Sequence, residues 1–116
     1  MVFEWDPDKD QANRDEHHLS FDEVCELFTS GDDYLEIYDE GHDEEEDRFI
    51  AIGPIRRGVV LVVFTERHEE AIRIISARIA TKAEVRLFRA YKEVNRGRHP
   101  RTDRSGLRPG DSAQAA

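Results

Sequence analysis

The sequence predicts an α+β domain, an antiparallel sheet with two N-terminal helices and a C-terminal helix. Three observations lead there. Runs rich in Val, Ile and Phe cluster between residues 34 and 79. An Asp-Pro pair and two capping-box spacings mark helix starts on either side of those runs. The order strand, helix, helix, four strands, helix runs through the chain without an internal repeat.

The opening VFEW is a short β-favouring run. Asp6-Pro7 then supplies an N-cap and a first-turn proline for a mostly polar helix over about Pro7 to His17. Ser20 and Glu23 are spaced as a capping box for a second helix, which should stop near Ser30-Gly31. Phe21, Val24, Cys25 and Phe28 share one face of that helix. YLEIY at 34–38 alternates as a strand, and GHDEEED at 41–47 reads as a solvated turn or loop. RFIAIG and VVLVVFTER, joined by turn residues, predict a hairpin. VVLVVF is apolar at every position, which places that strand mid-sheet with both faces covered. AIRIISAR at 71–78 is a further strand. Thr81 and Glu84 cap the last helix, which carries Leu87, Phe88, Tyr91 and Val94 as its apolar stripe, and the helices are expected on one face of the sheet.

Length and composition bound the rest. At 116 residues the chain is one domain of ordinary size, 38% hydrophobic and 37% charged. Residues 1–94 are read as the folded domain and 95–116, basic and rich in Gly, Pro and Arg, as a mobile tail. There is no long apolar run and no secretory-signal layout, so a cytoplasmic protein without membrane contact is expected. The single cysteine, Cys25, leaves no internal disulfide and no CxxC motif, and its spacing reads as core. The net charge of −9 conceals an asymmetry: residues 1–47 carry 19 acids and two bases, residues 48–116 seven acids and 15 bases. The basic part is suited to RNA or to an acidic partner, unless the two parts neutralise each other across the fold.

FEWDPDKDQANRDEHHLSF, EDRFIAIG, VVFTER and RIISARIATKAE follow one another in an order that resembles the BrnT family of ribonuclease toxins, over about residues 3–91. The resemblance implies a RelE-like fold, RNA cleavage without a metal or cofactor, and a small BrnA-like antitoxin that binds DNA. The family's polar positions fall on Trp5, Asp6, Lys9, Asn13, His17, Glu46, Arg48, Arg67, Arg78 and Glu84. The chain departs from the family pattern with Glu16 for Lys, His18 for Gly, Ile79 for Lys or Arg, and Phe88 for Tyr.

Metal-free cleavage uses a 2′-hydroxyl as nucleophile and needs groups to move protons and cations to hold the developing charge. His17, able to exchange a proton near neutrality, fits the first task or a structural cap. Arg48, Arg67 and Arg78 sit at strand ends, where an antiparallel order can bring some of them to one edge as a phosphate clamp or leave them solvated. Glu46 fits a base or an orienting group, whereas Glu84 and Asp6 are most simply caps and Trp5 a core anchor. Lys82, Arg86 and Arg89 would form a basic ridge on the last helix for RNA or an acidic partner. The DEEED run lacks the spacing of a calcium loop, and no metal site is expected. Two readings follow: an endoribonuclease toxin, or a module that keeps only antitoxin binding and operon regulation. In either, the acidic first half would repel operator DNA, so DNA contacts are expected through the antitoxin alone.

Overall fold

The computed structural model describes residues 1–39, 47–68 and 70–95, with backbone only at His68. Nine elements follow in order: β1 (Val2–Glu4), α1 (Pro7–His17), α2 (Phe21–Val24), α3 (Glu26–Thr29), β2 (Leu35–Asp39), β3 (Arg48–Ile55), β4 (Gly58–His68), β5 (Ala71–Ile79) and α4 (Lys82–Val94). The strands form one sheet in the order β1-β5-β4-β3-β2. Every neighbouring pair is antiparallel except β1 and β5, which run parallel with Phe3 opposite Ile72. The residues 40–46 and 96–116, which include most of the acidic run and nearly all of the expected tail, lie outside the described residues.

Local chemistry accounts for the element boundaries. Asp6 accepts a hydrogen bond from the Asp8 amide at 2.9 Å, with Pro7 in the first turn. Ser20 and Glu23, and likewise Thr81 and Glu84, form reciprocal capping boxes. His18 ends α1 in the left-handed region at φ 59°, where an L side chain carries strain that glycine lacks. The second helix differs from the expectation of one unit. It is two short turns that step at Cys25, whose amide bonds Asp22 O three residues back, while Phe28 N bonds Cys25 O in the same tight manner. The hairpin of β3 and β4 closes through Arg56-Arg57, and Gly58 supplies a φ of 132°.

Successive strand residues point to opposite faces, and the core divides accordingly. One face carries Ala51, Val60, Val62, Phe64, Ile72 and Ile74, and α1–α3 cover it with Leu19, Phe21, Val24 and Leu27. The other carries Ile52 and Leu61 beneath Phe88 of α4. The helices therefore occupy both faces, in place of the single face expected. This explains why β4 is apolar at every position from Val59 to Phe64. Phe88 is buried, but Leu87 and Val94 point outward at 53% and 73% exposure, so the apolar stripe of α4 is only partly a core stripe.

α1 has no large apolar side chain to bury. Its buried residues are Asp10 and Asn13. Asn13 Nδ2 donates to Leu19 O at 2.8 Å, and its Oδ1 accepts from Ala77 N of β5 at 3.1 Å. Asp10 Oδ1 accepts from Phe21 N at 2.8 Å. Asn13 thus fastens a polar helix to the sheet, and Asp10 fastens it to the start of α2. Asn13→Ala would strand a buried carbonyl and a buried amide, at about 1–3 kcal/mol each. We expect it to lower stability by about 2–6 kcal/mol, read as a fall in the urea midpoint, and an unchanged urea midpoint would show that water replaces the carboxamide.

Candidate functional site

The register places the strand-end arginines at two ends of the sheet. Arg78 lies opposite Leu61, which lies opposite Ile52. Arg48 is four residues along β3 from Ile52, and Arg67 six residues along β4 from Leu61, in each case toward the other end. At roughly 3.4 Å per residue these offsets are about 13 Å and 20 Å. Arg48 and Arg67 therefore share one end and Arg78 stands at the opposite one. Arg67 is exposed and falls where the β4–β5 register shifts, between Glu66 and His68. Arg48 is half-buried and, like Ile50 and Ile52, belongs to the face over which α4 packs.

Arg78 has the most defined surroundings of the three. By alternation from buried Ala77 its side chain rises on the α4 face. Nη1 and Nη2 each donate to Glu84 at 2.8 Å, a bidentate ion pair between the end of β5 and the first turn of α4. Nη1 also reaches Ile79 O at 3.4 Å. Glu84 Oε1 accepts in addition from Thr81 N at 2.9 Å, so one carboxylate caps the helix and orients the guanidinium. The Arg78 hydrogen bonds, with the Thr81 bonds, hold the Glu84 carboxyl at about 2, and Arg78 is raised in turn by the same carboxylate. Glu84 is therefore ionised throughout the neutral range and is no proton donor there.

His17 closes α1 at the same sheet end as Arg78, but on the α1 side of the sheet. Asn13, one turn earlier, bonds Ala77 N, and Arg57 of the hairpin donates to His18 O at 2.8 Å. The imidazole is half-exposed, its Nε2 3.9 Å from Glu16 Oε1. Glu46 lies outside the described residues. Lys82, Arg86 and Arg89 are exposed along the outside of α4. Trp5 packs edge-on to Phe21 with centroids 6.0 Å apart, which makes it a core anchor. Cys25 donates to Phe21 O at 3.4 Å, and burial together with the Asp22 charge pushes its thiol up to about 11, far from nucleophilic use.

Sequence reasoning singled out Arg78 and Glu84 separately and missed their pairing. The two are six residues apart across a strand-to-helix turn, a spacing without a helical or strand period. It also left unassigned Arg57, whose Nη1 meets Glu23 at 2.9 Å and joins the hairpin to α2.

A protein family described as the ribonuclease toxin BrnT of type II toxin-antitoxin systems matches residues 5–84. Among solved structures, the 1.1 Å crystal structure of the Brucella abortus ribonuclease toxin BrnT is similar with a TM-score of 0.53 at 25% identity, over 71% of this chain and 100% of that one. No curated protein matches.

The lowered Glu84 carboxyl gives a pH signature. A carboxylate held below its ordinary value contributes stability that is complete above about pH 4.5 and is lost as the pH falls toward 2. Glu84→Gln should therefore lower the Tm at pH 7 and flatten its decline between pH 5 and 2. A variant whose Tm parallels the parent's throughout that range would show that the ion pair contributes nothing net.

Proposed function

Because this chain belongs to the BrnT family of ribonuclease toxins of type II toxin-antitoxin systems, we propose that it is a metal-independent endoribonuclease silenced by a BrnA-like antitoxin. The 2′-oxygen attacks the neighbouring phosphorus, the bond from phosphorus to the 5′-oxygen breaks, one proton leaves the 2′-hydroxyl and one reaches the departing oxygen. The observation that carries the reading is the Arg78–Glu84 pair. Glu84 fixes the guanidinium without using all of it: the two Nη contacts and the Ile79 carbonyl leave one Nη2 proton and the Nε proton for a phosphate. A preoriented cation of this kind stabilises the charge that grows on the phosphoryl oxygens.

The separation of the arginines favours an RNA strand laid along the sheet. Arg78 holds the reacting phosphate, and Arg48 and Arg67 engage the strand further along. The groups proposed for proton transfer are His17, which stands at the Arg78 end on the α1 side of the sheet and meets the phosphate where the RNA strand rounds that end, and Glu46, two residues before Arg48 in the sequence.

Expression of this chain without its antitoxin should arrest growth and degrade cellular RNA. Normal growth with intact RNA, at confirmed expression, would assign it an antitoxin-binding and regulatory role alone. Arg78→Ala should lower RNA cleavage by about 10²-fold and Arg67→Ala should weaken it through a higher KM, with the far-ultraviolet spectrum retained in both, and parental rates in both would remove these residues from the mechanism.

Operator DNA in the toxin-antitoxin complex is contacted by the antitoxin, because the acidic first half of this chain repels phosphates. In mobility shifts at physiological salt the complex should retard operator DNA and this chain alone should not. Retardation by the isolated chain would overturn that assignment.

A further inference from the structure

The outer side of α4 carries two rows that the fold leaves in water. Ala83, Leu87, Ala90 and Val94 follow one another at intervals of four, three and four residues, the spacing of one helical face, and all four are exposed. Leu87 at 53% and Val94 at 73% are among the most exposed large hydrophobic side chains of the described residues. Beside this row run Lys82, Arg86 and Arg89, exposed and in no ion pair among the described residues. In so acidic a chain, three neighbouring cations without carboxylate partners among the described residues stand out. Glu84 is occupied by Arg78, and Glu93 is the remaining acid of this helix. Leu87 and Val94 lie beyond the span matched by the family.

We propose that this side of α4 is a docking surface for an amphipathic helix of the antitoxin, one with an apolar ridge bordered on one flank by Asp and Glu. The inference rests on the toxin reading above and names the surface by which the partner binds. The row from residue 83 to residue 94 extends about 17 Å, three turns of a partner helix. Both rows are satisfied only by such an occupant. An RNA backbone would neutralise the cations and leave Leu87 and Val94 in water. A second copy of this chain would bring the same cations against one another without a matching row of acids. An acidic amphipathic helix buries the apolar row and pairs with the basic one.

Titration calorimetry of the full chain against the product of the adjacent open reading frame tests this. Leu87→Gln combined with Val94→Gln should weaken binding by at least about 100-fold, keep the parental Tm, and leave RNA cleavage by the free protein unchanged. Leu87→Met combined with Val94→Ile should restore affinity. Arg86→Glu combined with Arg89→Glu should weaken binding by about tenfold or more, and the parental affinity should fall as salt rises. Parental affinity in both disruptive double variants would overturn the surface and leave the toxin reading intact. Loss of RNA cleavage with full partner affinity in the arginine variant would make the ridge an RNA surface and overturn the proposal. Failure of the parental chain to bind that product would overturn the partner reading and this inference together.

Discussion

The position of the first third of the chain depends on a buried carboxamide. α1 offers the sheet no large hydrophobic side chain, so the hydrophobic effect cannot hold it there. Asn13 does so by reaching two backbone groups that burial would otherwise leave unsatisfied, Leu19 O after the helix and Ala77 N in β5. Leu19 and Phe21 follow immediately and are fully buried. The direction in which α1 leaves the sheet, the entry of α2 and the coverage of Phe64 and Ile74 all follow from this anchor. Asn13 is one of the polar positions shared with the family pattern, and its observed contacts give it a structural task.

The same economy appears one residue further along β5, at Arg78. Glu84 completes the first turn of α4 and orients Arg78, so the helix start and the guanidinium share one carboxylate. Arg57 joins Glu23 to His18 O and keeps the hairpin against α2 and the end of α1. Charged residues here set the relative placement of elements, and the hydrophobic clusters fill the space between them. Close approach supplements this on the inner side. A side chain at Gly53 would lie 2.6 Å from Tyr34 Cβ and 2.7 Å from Leu27 Cδ1, so β3 can pass beneath α3 only because the residue there has no Cβ.

Motifs closed within a few residues were legible in the sequence. Asp6-Pro7, Ser20 with Glu23 and Thr81 with Glu84 start helices where their spacing indicates, because an N-cap needs only the next three amides. The hairpin was legible for the same reason, and the continuous apolar run in β4 indicated two covered faces. What escaped was non-local or degenerate. Nothing within VFEW indicates a parallel partner 69 residues away at Ala71. Two apolar bands lie on α4, and periodicity alone does not say which one meets the sheet, so Leu87 and Val94 were read with Phe88. The arginines were legible as strand-end cations, but their distribution between the two ends depends on register, which no single strand encodes.

The parallel pairing of β1 with β5 bears on how the molecule comes into being. Of the described strands, synthesis delivers β1 first and its sheet neighbour β5 last. Asn13 waits likewise for Ala77. Until β5 has left the ribosome, the first strand and first helix have nothing to dock against, and the inner face of the β3–β4 hairpin stays open to water. Contacts of such long sequence separation form late and slowly. The chain therefore assembles its two ends together in a closing step, and a nascent fragment lacking β5 has neither the guanidinium at its end nor the surface that α4 presents.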